Sequence, residues 1–367
     1  MKPIKSINQL GDIINQTLSI HKNNCETVID FILSMQKSRT VNMSKMVNYS
    51  MRLGGVLPES IYRNFRRLVH NTTLSQSELA QCIIRMYDLS DCRLTLAIDR
   101  TNWRYGRSDI NLLVLSVCVL DCSIPLYWIE LDSRGNSNTE TRKQLLKMFT
   151  DDFGEDRIEY IVADREFIGN NWFEHLDNTA KFVIRIKGNT LLQVKGESIA
   201  AQKLFKSVNQ GGMISYEVTI DGVKRIAQAT RSPENELVII VSNDFTPHNL
   251  LVVYAKRWKI ECLFGHLKTR GFNFEDTHIV AKDRIGNLTK LVVLSFALCY
   301  LIGLVGASIK PILIKKHGYK QNSFFRCGYD LMVRILNCSL QKALRVISIC
   351  FSQTNLEEKC RKLKCVL

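Results

Sequence analysis

The sequence predicts an α/β protein in which a helical N-terminal region precedes a mixed sheet with helices, the sheet being interrupted by a β-rich insertion. Three observations predict it. Apolar residues recur at three- and four-residue spacing in the first 90 residues. From Arg93 the pattern changes to apolar, β-branched runs split by short polar breaks. Helix-like and strand-like stretches then alternate, the order expected of an α/β sheet.

The elements follow in order. INQLGDIINQTL and CETVIDFILSM read as amphipathic helices. In MSKMVNYSMRLGGVLPESIYRNFRRLVHN a short helix, a Gly54-Gly55 break and a second helix capped near residues 58–60 give a helix-turn-helix-like arrangement over about residues 41–70. On that second helix Arg63, Arg66 and Arg67 are spaced so that at least two share a side. That side suits phosphates, or equally the solvated face of an ordinary bundle. RLTLAID, NLLVLSVCVLD and SIPLYWIELD read as a meander of strands. A helix (TETRKQLLKMFTDDF), a strand (IEYIVAD), a helix around NNWFEHLDN and a strand (KFVIRIK) come next. LLQV, SYEVTI and VKRIAQATR, separated by NQGG and DG turns, form the insertion, and ELVIIVSN returns to the sheet. A last well-bounded helix has Thr246 as N-cap, Pro247 at its first position and Gly271 after its last turn. The expected division is 1–90 helical, 91–187 first part of the core, 188–235 β-rich insertion, 236–320 second part of the core and 321–367 basic helical region.

Composition bounds the function. With 46% hydrophobic and 23% charged residues in 367, the chain is not mostly disordered. Lysine and arginine number 50 against 35 acids, a formal charge of +15. The excess sits at the ends, +5 over residues 1–90 and +9 over 310–367, while the middle carries 27 basic and 26 acidic side chains. Such a chain expects a polyanion, either nucleic acid or an anionic membrane surface. Its 12 cysteines form no C-x-x-C pair and no zinc spacing, which points to reduced thiols in a cytosol. MKPIKSINQLGDIINQ has no apolar signal core, so export is not expected. Residues 291–307 hold no charge over 17 positions, near the lower limit of a membrane span, and read either as that or as a helix buried on all sides.

Candidate chemistry lies at three acids. Asp99 ends RLTLAID and Asp164 ends IEYIVAD, each at the carboxyl end of an apolar strand, where α/β sheets present functional groups, although either one alone reads at least as readily as a loop-capping aspartate. Two such acids on neighbouring strands repel unless a cation sits between them. Glu261 lies on the last helix, where Tyr254, Arg257, Glu261 and Lys268 fall within an arc of about 60°. Val252, Val253, Ile260, Leu263, Phe264 and Leu267 form the opposite, packing stripe. The charged row matches either a solvated ion-pair face or a grip on phosphates beside a metal-binding acid.

YAKRWKIECLFGHLK fills all four positions of the Tyr-x2-Arg-x3-Glu-x6-Lys signature. The chain thereby resembles the DDE transposases of the insertion sequence 4 group. LAIDRTNW and IVADREF resemble the two aspartate motifs of that family, in the expected order, and HGYKQNSFFRCGYDLMVRIL resembles its C-terminal segment. The resemblance covers about residues 41–335. It implies a ribonuclease H-like core in which Asp99, Asp164 and Glu261 hold two Mg2+ ions, with Mn2+ as a substitute. It also implies nicking at the ends of an insertion sequence and joining of the freed 3′-hydroxyls to target DNA.

Further expectations follow from the resemblance. Tyr254, Arg257 and Lys268 would hold terminal phosphates, and Arg63, Arg66 and Arg67 would contact DNA from the N-terminal helices. The partners would be terminal inverted repeats and target DNA, bound by a homodimer in the paired-end complex. No membrane association is expected, and the place would be the nucleoid of a prokaryotic cytoplasm. Glu166 is the rival third carboxylate. A catalytically inactive, transposase-derived regulator is the alternative reading. Relatives that form a hairpin stack a flipped base on an aromatic ring of the insertion. Here Trp103, Trp128, Trp172 and Trp258 all lie outside residues 180–245, leaving Phe182, Phe205 or Tyr216 as substitutes.

Overall fold

The computed structural model describes residues 2–20, 22–71, 74–132, 135–246, 248–316 and 318–367. Pro247, expected at the first position of a helix, lies outside the described residues. Five helices come first: α1 (Lys2–Leu18), α2 (Lys22–Ser38), α3 (Met43–Met46), α4 (Pro58–Asn71) and α5 (Gln76–Met86). Then follow β1 (Leu94–Tyr105), β2 (Ser108–Val119), β3 (Cys122–Glu130), α6 (Thr139–Phe153), β4 (Ile158–Ala163), α7 (Asn170–Thr179) and β5 (Phe182–Arg185). Next are β6 (Leu191–Val194), β7 (Glu197–Ala200), α8 (Ala201–Leu204), β8 (Ile214–Ile220), β9 (Val223–Arg231) and β10 (Leu237–Ser242). The chain closes with α9 (Leu250–Ala255), α10 (Trp258–Leu267), α11 (Lys282–Ile309), α12 (Phe324–Cys338), α13 (Leu340–Phe351) and α14 (Leu356–Val366).

These elements form two compact units. One comprises Cys92–Thr101 and Asn111–Cys262; the other comprises Met1–Asp91, Asn102–Ile110 and Leu263–Leu367.

The first unit is built on a ten-stranded mixed sheet of order β3-β2-β1-β4-β5-β10-β9-β8-β6-β7. β1, β4 and β5 run parallel, and β2–β3 and β5–β10–β9–β8 pair antiparallel. The stretches that pair in parallel are mostly buried, Leu94–Ile98 of β1 throughout, because helices cover them. The strands of the insertion do not stand apart from the sheet. β9 pairs with β10 over six residues, so the free edge of the core sheet is continued rather than left exposed.

One strand differs from expectation. β1 does not end at Asp99 but runs on to Tyr105 and turns through Gly106, at φ +58, into β2. Only its parallel pairing with β4 stops there, at Ile98↔Ala163. Asp99 is therefore held by a continuing strand on one side and released from a neighbour on the other.

The second unit is helical and centred on α11. Its side chains are buried on every face from Ile285 to Val305, as befits a helix that is apolar all round. It is long and apolar enough to cross a membrane, and 72% of its most apolar stretch is buried within the protein. Helices α2, α4 and α5 pack on it, as do α12 and α14. The Tyr87 hydroxyl donates to the Ala297 carbonyl at 2.6 Å, and Gln36 Nε2 donates to Ser295 Oγ at 3.1 Å. This hub is why the compact units divide the chain differently from the expected boundaries. Residues 1–90 and 321–367 fall in one unit, together with residues 263–320 that the sequence assigns to the sheet core.

Between α3 and α4 the turn is fixed by a charge that pattern reading does not reveal. Asp30 of α2 is fully buried and accepts from Ser50 Oγ at 2.6 Å, Met51 N at 2.9 Å and Arg52 Nε at 2.9 Å. A buried carboxylate is tolerable only with such partners. Gly54, at φ +95, then reverses the chain before α4.

Candidate active site

The last strand-to-helix segment was expected to be one helix from Thr246 to Gly271. It is two. α9 begins at Leu250 after Asn249, and α10 begins at Trp258. At the joint Lys256 N bonds Val253 O, and Arg257 N bonds Tyr254 O, so three-residue turns replace helical ones. The helical phase is not carried across this joint, and the expected packing stripe changes accordingly. Ile260 and Leu263 are fully buried, whereas Val252 is 64% exposed.

The joint sets Arg257 on the carboxylates. Asp99 and Asp164 stand next to one another because they follow the last register pair of β1 and β4, on parallel strands about 5 Å apart. Arg257 is buried, and its guanidinium lies 2.6 Å from Glu261 Oε1 and 3.6 Å from Asp99 Oδ2. Asp99 Oδ1 also accepts from the Arg100 amide at 2.8 Å. The Tyr254 hydroxyl donates to Asp164 Oδ1 at 3.3 Å, and its ring packs 5.6 Å from the Arg257 guanidinium carbon. Four of the six residues singled out by the motifs are thus brought together around one guanidinium, with Asp164 reached through Tyr254.

The other candidates lie elsewhere. Lys268 follows the end of α10, belongs to the helical unit, donates to the Asn102 carbonyl at 3.0 Å and pairs with Glu275 at 3.0 Å. Arg63, Arg66 and Arg67 line a hollow on α4 in the same unit. Glu166, the rival acid, is engaged by Arg100 through two bonds of 2.7 and 2.9 Å. Buried Arg142 donates to the Glu166 carbonyl at 3.0 Å, so the loop after β4 is clamped from both ends.

Electrostatics mark Asp99 as strained. Burial, then the fields of Glu166 and Asp164, raise its carboxyl from 3.8 to about 7 against the pull of the Arg100 amide and Arg257. A carboxyl raised in this way is bound to its proton more tightly in the native state than in the unfolded chain. Its contribution to stability therefore falls as pH rises from about 4 to about 7. Without divalent ions, Asp99→Asn should melt above the unsubstituted protein at about pH 8, by on the order of 3 kcal/mol. The gap should narrow at about pH 5.5, and a gap independent of pH would refute the assignment.

Sequence reading missed Arg185, at the carboxyl end of β5. It pairs with Glu236 and lies within electrostatic reach of Tyr254 and Asp164. Its signal was available, since it ends a strand of the same sheet as the two aspartates do. The proposed base-stacking substitutes are corrected in the other direction. Phe182 and Phe205 are fully buried and present no face to a base, while Tyr216 is 36% exposed. Trp258, at the start of α10, is 60% exposed.

The profile of the transposase DDE domain matches residues 90–300, more than half of the chain. The chain belongs to this family. The DDE domain carries a ribonuclease H-like fold, and β3-β2-β1-β4-β5 supplies the corresponding mixed sheet. The family generally uses divalent metal ions. The cryo-EM structure of the piggyBac transposase synaptic complex with hairpin DNA is similar over 100% of this chain and 83% of that one, at 11% identity and a TM-score of 0.46. No curated protein sequence matches.

The donor set of this DDE transposase fits a hard divalent ion in kind, because all three candidate ligands are carboxylates. The Asp99 carboxyl is raised chiefly by its burial, which a bound cation would offset. In position the fit is incomplete: among the described residues no three acidic, histidine or cysteine side chains are gathered closely enough to hold one ion. The Arg257 guanidinium lies 3.6 Å from Asp99 and 2.6 Å from Glu261 and pairs with both.

Proposed function

We propose that this chain is a DNA transposase of the insertion sequence 4 group that cleaves at the ends of its element and joins the 3′-hydroxyls to target DNA. The observation that supports the proposal is that Arg257 contacts both Asp99 and Glu261 while its neighbour Tyr254 bonds Asp164, which links residues of three separate motifs. Asp99, Asp164 and Glu261 would hold two Mg2+ ions, or Mn2+ in their place. Bound there, the ions would lower the pKa of an attacking water or 3′-hydroxyl and stabilise the leaving oxygen.

The chain's own residues contribute the rest. Burial pushes the Tyr254 phenol up to about 12, so at neutral pH it is a proton donor rather than a nucleophile. Its single proton goes to Asp164, which it orients, and it could serve a phosphate oxygen only by giving up that bond. Arg257 Nε is buried without an acceptor, beside the carboxylates that the guanidinium already neutralises. Arg100 and Arg142 hold the Asp164 loop in place through Glu166. Lys268 joins the phosphate-holding set by the family signature, and pairing of two ends by a homodimer belongs to the same reading.

The guanidinium between Asp99 and Glu261 also favours a second reading, a catalytically inactive regulator whose carboxylates are permanently neutralised. Duplexes carrying the inverted repeats that flank the gene separate the two. A transposase nicks them in Mg2+ or Mn2+ and leaves 3′-hydroxyl ends. Binding without cleavage in either ion would establish the regulator.

A further inference from the structure

Helix α4 carries more than the arginines of its motif. Ile61, Phe65, Leu68 and Val69 bury one face, and the i, i+3, i+4, i+7 spacing of Arg63, Arg66, Arg67 and His70 places all four on one stripe. These four are exposed. They do not simply face solvent, because the first turn of α11 stands opposite. Asn287 Nδ2 donates to the Val69 carbonyl at 3.1 Å and holds the two helices together there. The result is a hollow of about 210 Å³ lined by Arg63, Arg66, Arg67, His70 and, from α11, Arg284.

Charge in this hollow is uncompensated. Among the described residues none of these five side chains has a carboxylate partner; Arg63 Nε reaches only the Glu59 carbonyl, at 3.3 Å. Arg284 Nε is shielded from water with no acceptor. α11 starts after Ala281 without a side-chain cap, so its positive end adds to the same field. A second hollow of about 520 Å³ shares Arg66 and Arg284 and has no acidic residue in its lining. Four permanent guanidinium charges around one concavity repel unless an anion lies among them, and the guanidinium fork matches phosphate oxygens.

We infer that α4 and the start of α11 form a clamp for the phosphate backbone of duplex DNA, with Arg284 as its second wall. The inference rests on the transposase reading and adds to it a site outside the carboxylate cluster. It also changes the role of α4. A helix that reads sequence must project its side chains into the major groove toward base edges. Here the arginines line a hollow closed by another helix, which suits a sugar-phosphate strand and carries no sequence information.

The test measures binding of the full-length protein to two duplexes of unrelated sequence over a range of salt. Arg66→Ala combined with Arg284→Ala should weaken both duplexes by the same factor, on the order of tenfold, and shallow the log–log salt slope by about one to two. Arg67→Ala alters only an exposed side chain and should shallow the slope by about one without changing the melting temperature. Unchanged slopes, or a loss confined to one duplex, would overturn the clamp. In that event persisting cleavage by the unsubstituted protein would leave the transposase reading intact. Failure of the unsubstituted protein to bind any duplex would remove both.

Discussion

Asp99→Asn, Asp164→Asn and Glu261→Gln are each expected to reduce divalent-ion-dependent cleavage on the order of a thousandfold or more, with duplex affinity nearly unchanged. The expectation follows from where the three side chains stand. Asp99 and Asp164 follow the last register pair of two parallel strands, and Glu261 shares the Arg257 guanidinium with Asp99. Each substitution is nearly isosteric and removes one negative charge, so binding through basic residues elsewhere should persist. Glu166→Gln is the discriminating control. Glu166 is taken up by two bonds to Arg100, and its neutralisation should loosen the loop yet leave measurable cleavage. Normal cleavage by Glu261→Gln, with none by Glu166→Gln, would transfer the third ligand role to Glu166.

The largest effect on stability is expected at a pair of glycines. Gly303 of α11 and Gly328 of α12 let the two helices touch backbone to backbone. An added Cβ at Gly303 would collide with the Phe324 carbonyl, and one at Gly328 with the Cys299 carbonyl. Elsewhere in a helix alanine is favoured over glycine by about 1 kcal/mol. At these two positions the sign should invert, with Gly303→Ala or Gly328→Ala costing on the order of 3 kcal/mol or more as α12 is pushed off the hub. Gly306→Ala supplies the contrast. Its Cβ would meet only the end of the Leu331 side chain, at 3.3 Å, which can rotate away. Denaturant melts of the three variants decide the matter, and equal midpoints would show that the helices are not in close register.

Much of the fold was legible because it depends on local pattern. The apolar runs gave the strands of the sheet and the alternation gave its helices. The β character of the insertion showed in its short strand runs and glycine turns. The uncharged run at residues 291–307 admitted two readings, and its hydropathy could not separate them. Packing by six surrounding helices among the described residues accounts for its burial here. The helix expected from Thr246 was misjudged for a different reason. Its propensity is continuous, but the chain breaks at Lys256–Arg257, where Arg257 meets Asp99, distant in sequence, as well as Glu261 four residues on. Asp30 and Arg284 were illegible altogether, since a single charged residue in a helical pattern does not tell which loop or helix it faces.

The amino-acid order alone determined the class of the fold, the basic ends and the three acids with their flanking tyrosine and arginine. These rest on side-chain type and spacing along the chain. Tertiary structure alone decided that Asp99 sits mid-strand beside Asp164, that a guanidinium stands between Asp99 and Glu261, and that the arginines of α4 meet one from α11. Burial and electrostatic fields depend on distances between residues remote in sequence, and only folding fixes those distances.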